Sequence, residues 1–177
     1  MIGPPVILAI TSQLVQSPAV TTTSCAPLAA GRPFEARGPQ SGPLRLSLSL
    51  PASIHRGDPL TAALRLEDTS DQPILLLSND NPFGLDYEVV VADLHTGNEV
   101  PKRPDYVPMI TRISQETVSR ACPAYQYLSL TRAYDIPAGT FVVRAMRRPT
   151  QVLNDDPLQL KKLPAVQSNS VTLTVYP

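Results

Sequence analysis

The sequence is poor in the residues from which most recognisable catalytic and metal sites are built. Its 177 residues include no tryptophan, two histidines and two cysteines, and only 5% are aromatic. The Gly-x-Ser-x-Gly hydrolase turn, the phosphate-binding glycine loop, zinc-spaced cysteine pairs and His-Glu-x-x-His are all missing. The histidines, His55 and His95, lie in predicted turns without a predicted partner, so neither suits a general base. We therefore expect a non-catalytic protein with no cofactor and no metal site.

The charge balance also excludes several classes of partner. Lysine plus arginine and aspartate plus glutamate number 15 each, so the formal net charge is zero. Such a chain has no basic excess to attract nucleic acid or an anionic membrane. No apolar run approaches the roughly 20 residues that a membrane-spanning helix needs, so we expect no stable membrane span. The expected partner is a protein or another component of the cell envelope, and no oligomeric state is predicted.

The N-terminal part of the chain differs from the rest in composition. Its first 31 residues carry no charged side chain, and residues 6–10 are an apolar run that fits the core of a truncated signal peptide. Residues 17–43 are rich in serine, threonine, proline, alanine and glycine, which is typical of a disordered linker. We predict a leader and linker over 1–42 and one domain over 43–177. The protein is predicted to be extracytoplasmic, either periplasmic or secreted.

The two cysteines fall on either side of that boundary. Export would permit a disulfide between Cys25 and Cys122. Since Cys25 lies in the predicted linker, we expect two unpaired thiols instead. A lipid-anchored Cys25 is a further alternative.

Alternating apolar residues predict short strands with one buried face. Four leucines at every second position over 44–50 alternate with polar residues, and 60–66 repeat the pattern. The run 74–77 is apolar throughout, so we expect a central strand that is covered on both faces. The other residues expected to face inward are every second residue of 85–91, 141–145 and 171–175, together with Tyr125, Tyr127, Leu128 and Leu130. Proline, at 20 residues about twice its ordinary frequency, breaks long helices. Seven or eight short strands without a helical stripe predict an antiparallel β-sandwich, with a closed barrel as the alternative.

Several segments of the predicted domain carry a family resemblance. They are Arg56-Gly57-Asp58-Pro59-Leu60, the corner Tyr134-Asp135-Ile136-Pro137-Ala138-Gly139-Thr140, and the closing strand at 168–173. In this order they resemble the immunoglobulin-like domains of bacterial exported proteins, and they are more distantly similar to the intracellular proteinase inhibitor family. The resemblance implies a single antiparallel immunoglobulin-like β-sandwich and a non-catalytic role. It carries over no functional residue.

A long connection between the last two strands holds the first candidate binding residues. A hairpin there would need 2–5 residues, whereas 147–169 intervene. Arg147, Arg148, Lys161 and Lys162 are predicted to converge at its mouth as a basic patch. Such a patch would bind an acidic partner or a polyanionic glycan through charge-assisted hydrogen bonds. The alternative is that these charges protect a strand edge from pairing with other molecules.

A second candidate is the proline-flanked segment 101–111, with Tyr106 and Met109 near its centre. An extended segment of this kind could be presented to a protease cleft. Two functions therefore remain open. The first is an exported binding or accessory module that acts through loops and a sheet edge. The alternative is a proteinase inhibitor that presents an edge strand or loop to a protease.

Overall fold

The chain forms short β-strands almost throughout. The computed structural model describes residues 34, 36–79, 86–108, 113–153 and 160–177. The strands are β1 (Gln40–Ser41), β2 (Leu44–Ser49), β3 (Ser53–His55), β4 (Thr61–Asp68), β5 (Ile74–Asn79), β6 (Tyr87–Asp93), β7 (Ile113–Val118), β8 (Ala124–Ser129), β9 (Gly139–Arg147), β10 (Thr150–Leu153), β11 (Leu160–Leu163), β12 (Val166–Gln167) and β13 (Val171–Tyr176). A single turn of helix, α1 (Leu130–Ala133), lies between β8 and β9. The prediction of an all-β sandwich is confirmed.

The strands pair into three sheets. The first sheet has the order β1-β2-β4-β8, and the third has the order β11-β10-β5-β7. In the second sheet β9 is central, with β6 along one side and β13 and β12 along the other. These pairings are antiparallel, whereas β3 joins β13 in parallel. Within the described residues, no helix is long and apolar enough to cross a lipid bilayer.

The core lies between the first and second sheets, and the third sheet adds Leu76, Val118 and Leu163 to it. The leucines of β2 and its end, Leu44, Leu46, Leu48 and Leu50, are at most 8% exposed, as their alternation predicted. From the second sheet they are joined by Tyr87, Val89, Val91, Phe141, Val143, Ala145, Leu173 and Val175. Each large apolar side chain contributes about 1.5–3 kcal/mol on burial. A one-residue slip of β2 would expose all its leucines, so the burial fixes the register.

The expectation for β8 was partly wrong. Leu128 and Leu130 are buried as predicted, but Tyr127 is 55% exposed and Tyr125 is only half-buried. Ala124 takes the inward place instead, because 124 and 128 share one face of the strand. The two tyrosines therefore lie on the outer face of the first sheet.

The connection 147–169 was predicted as a surface loop, and this was wrong. It contains β10 and β11, which pair as a hairpin, and β10 also pairs with β5. Leu163 and Val166 are buried in the core. This hairpin, together with strands of only two or three residues such as β1, explains why the structure has more strands than predicted. Residues 154–159 lie outside the described part of the chain.

Residues before position 43 also join the sandwich. Gly42, with a φ of 59°, turns β1 back onto β2. Gly38 is buried, and a Cβ added to it would lie 1.9 Å from the carbonyl oxygen of Leu46. Part of the predicted linker therefore packs against the first sheet. Residues 1–33 lie outside the described part of the chain, and for them the leader and linker stay a prediction.

The side chain of Tyr134 links the predicted corner to the second sheet. The Tyr134 hydroxyl donates to the carbonyl of Val89, which fastens the predicted corner to β6. Burial raises the pKa of Tyr134 to about 12, so this hydroxyl keeps its proton.

Cys122 is disulfide-bonded, so the expectation of an unpaired thiol at this position is wrong. Cys25 lies outside the described residues.

Candidate binding surfaces

Arg147 lies in the interior, and the expectation that it faces solvent was wrong. It is 1% exposed, and its Nη1 donates to the Tyr87 hydroxyl at 3.1 Å. Its Nη2 donates to the Leu77 carbonyl at 3.1 Å, and the guanidinium stacks over the Tyr87 ring, 5.3 Å from its centroid. The strand alternation explains this position, because residues 141, 143, 145 and 147 share the inward face of β9.

The neighbouring basic residues lie elsewhere. Arg148 is exposed, and its Nη2 lies 3.6 Å from the Glu88 carboxylate. Lys162 is exposed on β11, and Lys161 precedes it on the same strand with a side chain outside the described part. Arg147 therefore cannot belong to a basic surface patch. A binding role for Arg148, Lys161 and Lys162 stays a prediction.

The described part of the segment 101–111 is a tethered turn. The Arg103 N–H donates to the Ala133 carbonyl at 2.7 Å, and the Tyr106 N–H donates to the Arg103 carbonyl at 3.0 Å. Tyr106 packs against the core, where burial raises its pKa. Val107, in contrast, is 71% exposed. Met109 lies outside the described residues. In the described part of this turn, Val107 is a large apolar side chain exposed to solvent.

The sequence analysis missed a cleft at the outer face of the first sheet, which we call the arginine cleft. Its volume is about 410 Å³. It is lined by Arg37, Gln40, Arg45, Arg65, Glu67, Asp68, Thr69 and Arg120. The lining comes from β1 and the residues before it, from β2 and β4, and from the connections that follow β4 and β7. Four arginines against two carboxyls give the cleft a net positive charge.

Three of these charges form a fixed group. Arg45 on β2 lies directly opposite Glu67 on β4, and Arg65 is two residues before Glu67 on the same face. The Glu67 carboxylate is 3.2 Å from Arg45 Nη1 and 2.9 Å from Arg65 Nη2. Glu67 is buried, so the two guanidinium groups are held in place around it. One carboxylate cannot neutralise both arginines.

The remaining two arginines form the rim of the cleft. Arg120 Nη2 donates to the Thr69 carbonyl at 2.7 Å and lies 3.8 Å from the carboxylate of Asp71, in a pair that is exposed to solvent. Such exposed pairs contribute little and exchange readily. Arg37 is exposed and has no ion pair among the described residues. These two guanidinium groups are therefore accessible to an anion.

The nearby carboxyl of Asp68 is already engaged. It accepts hydrogen bonds from the Ser70 N–H at 2.8 Å and from the Ser70 hydroxyl at 2.9 Å. Asp68 is also buried. Its charge therefore organises the turn after β4, and the acid that lies beside the rim is the exposed Asp71, 3.8 Å from Arg120.

Aromatic side chains continue the same face. Tyr125 on β8 lies opposite Arg65, and Tyr127 lies opposite Ala63. Tyr127 is 55% exposed, and its partner Ala63 is small, so much of the Tyr127 side chain is accessible to solvent. The Phe34 ring centroid is 6.1 Å from that of Tyr125. We call Phe34, Tyr125 and Tyr127 the aromatic platform. It adjoins the arginine cleft where Tyr125 lies opposite Arg65.

The two histidines lie at the surface and do not line the arginine cleft. His55 and His95 are both exposed, and the His55 Nδ1 lies 3.2 Å from the Pro177 carbonyl. In the described part of the chain, no group of three or more histidine, cysteine or acidic side chains could hold a metal ion. In the comparisons with known proteins, no family model matches the chain and no curated protein is significantly similar to it.

Proposed function

We propose that this protein is a non-catalytic, exported binding or accessory module with an immunoglobulin-like sandwich. The observation that carries the proposal is the arginine cleft, which lies where the edge strand β1 meets the connections after β4 and β7. Loops and a sheet edge are where a rigid sandwich most readily recognises a partner. The positive lining predicts a partner with an anionic group.

Export is supported by the disulfide at Cys122. Structural disulfides form and persist in the periplasm and outside the cell, whereas the cytosol keeps thiols reduced. An immunoglobulin-like classification is supported by two sheets that pack across one apolar core and whose pairings, apart from β3 with β13, are antiparallel. A non-catalytic role is supported by the solvent-exposed positions of both histidines, because a general base needs a positioned partner.

The test is an NMR titration of the uniformly ¹⁵N-labelled protein with sodium sulfate at low ionic strength. We expect amide shifts at Gln40, Thr69 and Arg120, which line the cleft, and none at Thr172 on β13. Replacing Arg37 and Arg120 with glutamine should abolish these shifts. Shifts that instead cluster around Arg148 and Lys162, or no saturable shifts at all, would contradict a binding role for the cleft.

A proteinase inhibitor remains the second candidate, and the exposure of Val107 favours it. Backbone hydrogen bonds hold the turn that carries Val107 against α1 and β6. A pre-organised loop loses little entropy when it enters a protease cleft. If this function holds, Val107→Asp should raise the inhibition constant against a responsive protease by about tenfold or more. The reason is that the complex would lose an apolar side chain that becomes buried when the protease binds. Unchanged inhibition would exclude this turn as the contact.

A further inference from the structure

We propose that the arginine cleft and the adjoining tyrosines bind an anionic saccharide, with its sulfate or carboxylate group in the cleft and a sugar ring on Tyr127. This inference rests on the proposed function and specifies its ligand. It draws on three observations. They are the positive charge of the cleft, the exposed ring of Tyr127, and the backbone pairing of β4 with strands on both sides.

The charges favour an oxyanion. Glu67 already occupies the space between Arg45 and Arg65, and it holds their guanidinium groups in place. Arg37 and Arg120 at the rim remain accessible to a second anion. Guanidinium groups bind sulfate and carboxylate oxygens through paired, charge-assisted hydrogen bonds. The cleft, at about 410 Å³, has room for such a group attached to part of a sugar ring.

The aromatic platform favours a ring beside that anion. Tyr127 lies opposite Ala63, which is two residues from Arg65 on the same face of β4. Diagonal neighbours of this kind are about 7–8 Å apart. Arg120, which bonds to the Thr69 carbonyl past the end of β4, lies beyond Arg65, so the ligand must be an oligosaccharide that reaches from the Tyr127 ring to the rim. The exposed Tyr127 ring offers an apolar face together with a hydroxyl that can hydrogen-bond to the sugar.

The pairing of β4 disfavours a peptide on this face. Its neighbours β2 and β8 flank it on both sides, so the sheet hydrogen bonds of its backbone are used. An added peptide strand would need a free backbone edge. The terminal strands of the first sheet are β1 and β8, so an added peptide strand would pair there and not over β4. Over β4 itself a ligand is recognised by side chains, which suits a saccharide that lies across this face.

The experiment measures dissociation constants by isothermal titration calorimetry with the full chain. The probes are a sulfated dextran oligosaccharide, an oligogalacturonate, unsulfated dextran and poly-L-glutamate. The variants are Arg37→Gln with Arg120→Gln, Tyr127→Ala and Tyr127→Phe. A matched control, Arg56→Gln with Arg103→Gln, removes the same charge from exposed arginines outside the cleft. Circular dichroism melting verifies that each variant is folded, and Arg37→Gln alone replaces the double variant if that one is not.

We expect at least one of the two anionic oligosaccharides to bind, and unsulfated dextran not to. The Arg37 and Arg120 double variant should weaken binding by about tenfold or more, because two charge-assisted contacts are lost. Tyr127→Ala should weaken it by about three- to tenfold. Tyr127→Phe should weaken it less than Tyr127→Ala does, because it keeps the ring and loses only the hydroxyl, and the control should change it less than about twofold. The relative affinity of the two oligosaccharides shows whether sulfate or carboxylate is preferred.

Contrary results separate this inference from the proposed function. If poly-L-glutamate binds through Arg37 and Arg120 and neither anionic oligosaccharide does, the saccharide is wrong and the binding module stands. If Tyr127→Ala leaves oligosaccharide affinity unchanged, the aromatic platform is excluded and the inference fails. If no anionic probe binds, or if the control weakens binding as much as the cleft variant, both proposals are overturned.

Discussion

The side-chain amide of Asn169 binds both backbone groups of Leu48. The Leu48 N–H donates to Asn169 Oδ1 at 2.8 Å, and Asn169 Nδ2 donates to the Leu48 carbonyl at 3.0 Å. Leu48 lies opposite Leu64 of β4, but its own N–H and carbonyl are bonded to Asn169, which lies between β12 and β13 of the second sheet. One carboxamide therefore replaces a strand partner and joins two sheets.

We expect Asn169→Ala to lower the free energy of unfolding by about 1–3 kcal/mol, because both Leu48 backbone groups lose this partner in a partly buried place. Urea denaturation measures the change. Asn98→Ala is the matched control, since Asn98 lies in an exposed turn, and it should change stability by less than about 0.5 kcal/mol. Equal effects of the two substitutions would show that the amide bridge contributes nothing special.

The buried Gly38 gives a second prediction. A Cβ at this position would meet the Leu46 carbonyl oxygen at 1.9 Å and the Asn169 backbone nitrogen at 2.9 Å. Because backbone atoms cannot move aside as a flexible side chain can, Gly38→Ala should lower stability by about 1–3 kcal/mol. Thermal and urea unfolding measure the loss. Ala36→Gly, two residues earlier at an exposed position, is the control, and an unchanged midpoint for Gly38→Ala would mean that the segment does not pack on β2.

The sequence predicted those parts of the fold in which residue type and strand period agree. The leucines of β2 satisfy both criteria, and all are buried. At Arg147 the two criteria conflict, because the charge predicts exposure while its place after Phe141, Val143 and Ala145 predicts burial. At this position the strand alternation predicted the burial correctly, and the charge of the residue did not. Tyr127 is the reverse case, in which an aromatic residue was expected inside although its neighbour Leu128 already had the inward place.

The arginine cleft could not have been found in this way. Arg45, Arg65 and Glu67 were recognisable as outward positions on two predicted strands, and their cross-strand register could have paired them. Arg37 and Arg120 reach the same cleft from the predicted linker and from the connection after β7. Local patterns do not specify which distant connections meet at the end of a sheet, so the convergence appears only in the folded chain.

The buried Arg147 provides a third prediction. Arg147→Ala removes the donor to the Tyr87 hydroxyl, the stacking on its ring and the positive charge near Glu116. We expect a loss of about 3–5 kcal/mol, as is usual when one member of a buried charged group is removed. Arg147→Met should cost less, because it retains much of the volume. Arg144→Met on the outward face of β9 is the control, and a comparable loss there would contradict a specific role for the interior guanidinium.

The same interior group predicts how stability depends on pH. Burial raises the pKa of the half-buried Glu116 carboxyl above its usual value, although Arg147 acts in the opposite direction. The native state therefore binds a proton more tightly than the unfolded chain does. In the interval between the unfolded and the native pKa, stability must fall as the pH rises, and it levels off above the native pKa.

Glu116→Gln should remove this dependence, since glutamine has the shape of the protonated acid and does not titrate. Relative to the wild-type protein, the variant should gain stability as the pH is raised from about 4 to 7, because only the wild-type carboxyl loses its proton. Urea unfolding at several pH values measures the difference. Glu99→Gln, which removes a carboxyl from an exposed position away from this interior group, is the control. A Glu116→Gln variant that loses stability relative to wild type as the pH rises would mean that Arg147 outweighs burial, and that the carboxyl is held in its ionised form.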